Sequence, residues 1–319
     1  MNPEDQVRGL LEDAVTDVEP RHSLETVRAR IAARRHRSRA ASMAGAVVAT
    51  AATVAVVVLL ANGLGSSSGG PPTITADRST ATSGPGVLVY FVGATPSGPR
   101  LFGERHPTPP RNLALDGALA EAVAGSAADV DYHSPWPTGT TVQGARLAAG
   151  VLSVDLSGPV VERPAGLPRT DAALALQQLV YTAQAAAGSK LPVTFLLDGR
   201  PTATLLGEPA RRPVPAASAD DTLTSVSVIS PGDGATVSSP FRVQGRAAAF
   251  EGNVQWELIR GDTVVRRGFA TAAQCCTLAP YSFRVQAPPG SYLLVVHDED
   301  ASGGQGVPPT RDTKQLTVR

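Results

Sequence analysis

The chain is 319 residues long and balances 28 basic against 28 acidic side chains, so it has no global charge that would draw it to nucleic acid. Its two cysteines cannot build a disulfide framework, and with 4% aromatic residues its cores must be made of Val, Leu and Ala. The length allows one to three domains and excludes a single small module.

Asn2, Pro3, Glu4 and Asp5 read as a cap, a proline at the first helical position and acids in the first turn. Val7, Leu10, Leu11, Ala14, Val15 and Val18 then recur at helical spacing. Glu19-Pro20 breaks that helix, and Ser23 caps a second one with Leu24, Val27 and Ile31 on one face. Residues 1–39 are thus expected to form a cytoplasmic helical hairpin. It is too small to bury a core alone, so it calls for a cytoplasmic partner, a second copy or the membrane surface. A marginally helical basic flank is the other reading.

Residues 40–64 contain no Asp, Glu, Lys, Arg or His. A helix of roughly 20 apolar residues crosses a hydrocarbon core of about 30 Å. Arg34, Arg35, Arg37 and Arg39 precede the stretch and the next basic residue is Arg78, so the N-terminus is expected inside and the bulk of the chain outside. The long leading segment and the lack of a small-x-small cleavage site argue against a cleaved signal peptide. The expectation is a single-pass helix in the lipid bilayer of the cell membrane. Ala41, Gly45, Ala49 and Thr53 fall at four-residue spacing, which makes Gly45 and Ala49 candidate helix–helix contacts.

Residues 65–86 form a Gly/Ser/Pro spacer. Its Gly65-Ser66-Ser67-Ser68-Gly69 matches the G-x-S-x-G pattern without the strand and helix that its chemistry needs. From Val87 the pattern becomes globular. Val87–Val92 reads as a strand, Leu101-Phe102 as a short returning one, and Asn112 as the cap of a helix ending at Gly125. Thr141–Leu147 and Val151–Leu156 form a hairpin about Ala149-Gly150. Asp171 starts a helix that stops at Gly188, and Val193–Leu197 and Thr202–Leu206 are strands joined at Asp198-Gly199. Residues 87–208 therefore predict a two-layer α+β domain with both helices on one face of a mainly antiparallel sheet. Residues 209–223 read as a Pro/Ala-rich linker too polar to pack. Seven short runs follow in 224–319, the pattern of an immunoglobulin-like β-sandwich with Trp256 on the buried face.

Val87–Gly93, the hairpin Gly150–Ser157, the helix Gln177–Thr182 and the strand Val193–Gly199 together resemble the GerMN domain of sporulation and spore-germination proteins and actinobacterial envelope lipoproteins. Pro159–Pro168 and Pro107–Pro110 depart from that pattern. Ser230–Pro240, Val243–Ala247, Phe250–Gly252, Ala279–Phe283 and Gly290–Leu293 resemble the Gmad-type immunoglobulin-like domain of bacterial spore germination. The resemblance implies non-catalytic modules of the extracytoplasmic face.

The chemistry-bearing side chains are few. His22, His36, His106, His133 and His297 stand far apart without metal-ligand spacing, and neither a metal nor a cofactor is expected. His297-Asp298-Glu299-Asp300 reads as a solvated turn lacking the alternating ligands of a calcium loop. Trp136, between two prolines, is either a candidate exposed binding aromatic or a core residue, and the size of its ring favours the core. Cys275-Cys276 lies on the expected oxidising side with no other cysteine to pair with, which makes a vicinal disulfide a candidate against two reduced thiols. The function expected from all this is a membrane-anchored, non-enzymatic protein that presents two extracytoplasmic domains to cell-wall material or envelope proteins. A transmembrane regulator of anti-sigma type, acting through residues 1–39, is the alternative, and a cell-wall hydrolase or its accessory is a weaker one.

Overall fold

The computed structural model describes residues 86–107, 114–299 and 306–319, all within one compact unit. The hairpin 1–39, the expected span 40–64 with Gly45 and Ala49, and the spacer 65–85 lie outside the described residues. Among the described residues no helix is long and apolar enough to cross a membrane.

The first domain starts with β1 (Val87–Thr95) and β2 (Gly98–His106), a hairpin in register from Val87↔His106 to Thr95↔Gly98. The second strand is far longer than Leu101-Phe102. Its Gly, Pro, Arg and His flanks carry no strand signal of their own, and the partner strand supplies their backbone bonds. Next, α1 (Ala114–Ala124) ends at Gly125, whose φ of 72° suits only a residue without a side-chain penalty. β3 (Tyr132–His133) then pairs with the far edge of β1.

β4 (Thr141–Ala148) and β5 (Val151–Ser157) form the expected hairpin, closed by positive φ at Ala149 and Gly150. α2 (Arg169–Ala187) runs from Pro168 to a left-handed Gly188, where Ser189 N–H reaches the Gln184 carbonyl at 3.0 Å. Asp171 lies inside its first turn rather than starting it. β6 (Val193–Leu197) pairs parallel to β5, and β7 (Arg200–Pro201) folds back on it at Asp198-Gly199.

The expected continuous strand Thr202–Leu206 is not formed. β8 (Thr204–Leu205) pairs instead with β9 (Glu208–Pro209). The single, mainly antiparallel sheet is likewise corrected to two main sheets, β2-β1-β3 and β4-β5-β6-β7, the latter with a parallel pair, beside the small β8-β9 pair. The parallel pair follows from the helix: α2 crosses over and returns the chain to the same end of the sheet. Phe91, Leu119, Val154, Leu179 and Phe195 join both sheets and both helices in one core.

Residues 209–223 pack rather than run free. Val214 exchanges two backbone bonds with Val193, of 2.8 and 2.9 Å. Gln177 Nε2 donates to the Pro215 carbonyl, Ala217 N–H donates to Gln177 Oε1, and Tyr181 OH donates to the Ala217 carbonyl. The segment has few apolar side chains, but its backbone groups suffice to strap it onto α2. α3 (Ala219–Thr222) and the buried Leu223 lead into the second domain.

There, β10 (Val226–Ser230), β12 (Phe241–Ala247) and β15 (Ala279–Val285) form one sheet. The other is ordered β11 (Ala235–Val237), β17 (Arg311–Val318), β16 (Gly290–Asp298), β13 (Asn253–Arg260) and β14 (Thr263–Thr271). The seven expected runs are all strands. The additional β11 is three residues long and pairs parallel to β17. Val228, Val243, Val254, Leu258, Leu294, Val296 and Leu316 fill the sandwich. Trp256 packs against this core and stacks on Phe283 at 4.9 Å.

Candidate functional site

The chain contains two lysines, Lys190 and Lys314, and Lys314 is 1% exposed. It stands on β17, whose inward positions otherwise carry Asp312, Leu316 and Val318. Its ammonium donates to Asp129 Oδ2 at 2.5 Å, to Asp312 Oδ1 at 2.8 Å and to Tyr132 OH at 2.8 Å, which uses all its protons. Tyr132 OH in turn donates to Asp312 Oδ1 at 2.7 Å, and Val228 N–H to Asp312 Oδ2 at 2.6 Å. Asp129 and Tyr132 belong to the first domain, and Lys314 and Asp312 to the second. The cluster is therefore the junction between them.

Burial alone would lower the Lys314 pKa, but the Asp312 and Asp129 carboxylates outweigh it and hold it above the ordinary lysine value. Burial likewise drives the Tyr132 phenol far up, reinforced by Asp312. A buried ammonium without partners would be severely penalised, so the junction stands only while both domains contribute.

A second ionic group holds the Asp129 loop in place. Glu104 on β2 accepts the Ala128 and Asp129 N–H groups, each at 2.9 Å. Its Oε2 also meets His106 Nε2 at 3.1 Å, and His106 Nδ1 forms an ion pair with Glu121 of α1. Burial opposes charge on His106, yet its bond to Glu104 and the charge of Glu121 raise its pKa above the ordinary 6.5. Burial also pushes Glu104 up, but the His106 bond and the two backbone donors prevail and leave it below 4.5. Glu104 and His106 share one face of β2, in the part of the strand that the sequence did not signal. Nothing in the sequence pointed to Glu121, Asp129 or Lys314.

The residues singled out from sequence fall elsewhere. Trp136 is 6% exposed and belongs to the first-domain core, so it is not an exposed binding aromatic. A large aromatic side chain of this kind is mostly buried in folded proteins. Cys275 and Cys276 are paired, with Cα atoms 3.8 Å apart, on an exposed loop after β14. Cys276 borders a cleft of about 270 Å³ at the domain seam, which Arg100, Asp220 and Ser225 also line. In the acidic turn, Asp298 accepts from Ser225 and Glu299 from Asn253, so these carboxylates are structural rather than solvated. Among the described residues, no cluster suited to holding a metal ion occurs.

Residues 88–203 match the Germane family, described as sporulation and spore germination. Residues 225–305 match Gmad2, the immunoglobulin-like domain of bacterial spore germination. The Germane stretch thus supplies one side of the ionic junction, including Glu104, Asp129 and Tyr132, while Lys314 and Asp312 lie beyond the Gmad2 match on the last strand. Among solved structures, the first GerMN domain of the sporulation protein GerM from Bacillus subtilis is 15% identical. That match covers 43% of this chain and 97% of that one, with a TM-score of 0.30. The tandem GerMN domains of the same protein are 13% identical over 63% of this chain and 61% of theirs, with a TM-score of 0.32. No functionally curated protein matches the chain.

Proposed function

We propose that this chain is a non-catalytic, membrane-anchored envelope protein whose Germane and Gmad2 domains act as one rigid extracytoplasmic binding unit. The reading puts residues 40–64 through the cell membrane, the N-terminus in the cytoplasm and both domains on the wall side, facing cell-wall material or envelope protein complexes. The observation that carries it is the junction. Lys314 saturates its donors with groups from both domains, so a ligand bound to one domain is held at a fixed angle to the other. The two family matches support a binding or structural role rather than catalysis.

The test is crosslinking of the full-length chain in intact cells, with photoreactive residues placed in each domain and in residues 1–39. Crosslinks from the two domains to envelope proteins or wall fragments are expected. Crosslinks confined to cytoplasmic regulators through residues 1–39 would overturn the reading in favour of signalling, and hydrolysis of wall polymers by the purified chain would overturn the non-catalytic assignment.

A further inference from the structure

The outer face of the five-stranded sheet carries an open groove of about 500 Å³, which shares no lining residue with the ionic junction. This lies within the range of about 300–1,000 Å³ typical of ligand sites. Alternation along the strands brings its side chains together. Gln255 on β13 stands directly opposite Phe269 on β14 and His297 on β16, and Glu257 stands opposite Arg267. Such cross-strand neighbours have Cβ atoms about 4.5–5.5 Å apart. Phe269 is 73% exposed, its ring lying on the solvent side of the sheet while Ala270 beside it is buried.

Three of the polar side chains around this ring are uncommitted among the described residues. Gln255, Glu257 and Arg267 make no side-chain hydrogen bond or ion pair among the described residues. His297 Nδ1 meets the Asp298 carbonyl at 2.8 Å and so must donate, which orients the ring and leaves Nε2 without a partner among the described residues. At one end Asn253 is fixed by its bond to Glu299. The groove floor is also braced from within. A Cβ on Gly268 would come within 2.7 Å of the Trp256 ring, so the glycine lets Trp256 pack tightly under β14.

We infer that this groove is a saccharide-binding site for an uncharged segment of glycan chain, a reading that rests on the proposed envelope role. A flat exposed ring suits the apolar face of a sugar. Around it stand a donor-only guanidinium, an acceptor-only carboxylate, an amide that can do both, and an imidazole whose Nε2 accepts because Nδ1 carries the proton. That set fits hydroxyl and acetamido groups, which both donate and accept. Charge selects further: Glu251 and Glu257 against the single Arg267 disfavour phosphate-rich polymers and acidic peptides. The groove lies over β13, whose backbone groups are paired on both sides with β14 and β16, so a peptide laid along that strand would find no main-chain partners there.

The experiment titrates the full-length chain with the tetrasaccharides of N-acetylglucosamine and of glucose, and sediments it with purified peptidoglycan. Saccharide binding is expected. Phe269→Ala should weaken it by about tenfold or more, Phe269→Trp should retain it, and Gln255→Ala should weaken it as well. An unchanged urea midpoint in Phe269→Ala, expected for so exposed a side chain, assigns the loss to the site. Absence of binding to all three probes, or equal affinity in Phe269→Ala, would overturn the inference. Domain crosslinks in intact cells that survive in Phe269→Ala would then leave the envelope role standing, whereas their absence in the unmodified chain would remove that role independently of the groove.

Discussion

Lys314 shows how much one side chain can decide. Replacing it with Met leaves Asp129 and Asp312 buried without a counter-charge. Breaking such a pair on one side costs about 3–5 kcal/mol, whereas replacing all its members with apolar or neutral groups is often nearly neutral. Lys314→Met should therefore lower the unfolding free energy by about that amount in urea melts, and adding Asp129→Asn and Asp312→Asn should recover most of the loss. A cost for Lys314→Met below about 1 kcal/mol would mean the junction is not a tight ionic seam.

The Glu104–His106 pair gives a pH window. His106 has a raised folded-state pKa, so its stabilisation is present below its ordinary value of 6.5 and is lost as pH rises through the higher folded value. Glu104 is lowered, so its contribution is present above 4.5 and is lost as pH falls through the lower folded value. Stability from the pair should peak in mildly acidic solution. The stability difference between the unmodified chain and His106→Asn should shrink from about pH 6 to about pH 9, as read by urea midpoints. For Cys275 and Cys276, exposed and adjacent, the expected state in exported protein is oxidised. Intact mass under non-reducing conditions should show no alkylation, and two alkyl groups before reduction would establish free thiols.

At the scale of elements, the tightest constraint is Gly245 on β12. A Cβ there would collide with the Ser227 carbonyl and the Tyr281 hydroxyl, which are themselves hydrogen-bonded at 3.0 Å. Gly245→Ala should cost stability at the upper end of about 1–3 kcal/mol in thermal or urea unfolding. Most elements were legible beforehand because their signals are local. Val87–Val92 is a continuous apolar run, Gly188 ends α2 in the left-handed region, and Asp198-Gly199 both adopt positive φ. The outer half of β2, the strand β11 and the packed strap 209–223 were not legible. Each draws its backbone bonds from residues distant in sequence, namely Val87–Leu88, Leu316–Val318 and Gln177. The candidate sites divide in the same way. Trp256 packs on the face its alternation predicts, but Asp129 and Tyr132, which hold Lys314, are more than a hundred residues away in sequence.

At the scale of the molecule, the junction and the strap should make the described domains unfold together. Calorimetry of the unmodified chain is expected to give a single transition for this unit, and Lys314→Met should separate it into two. Two independent transitions in the unmodified chain would contradict the rigid unit on which the proposed function depends.

The sequence by itself determined the two long helices and the longer strands, the α+β and β-sandwich characters of the two halves, and the turns at Ala149-Gly150 and Asp198-Gly199. These follow from periodicity and from glycine and proline conformations that act within a few residues. Only the tertiary structure decided that the first domain divides its strands among separate sheets with one parallel pair, that Trp136 is core, and that a rare lysine from the last strand locks the two domains together. Those outcomes depend on which distant groups meet once water is expelled. A buried charge declares its role only when its partners stand beside it.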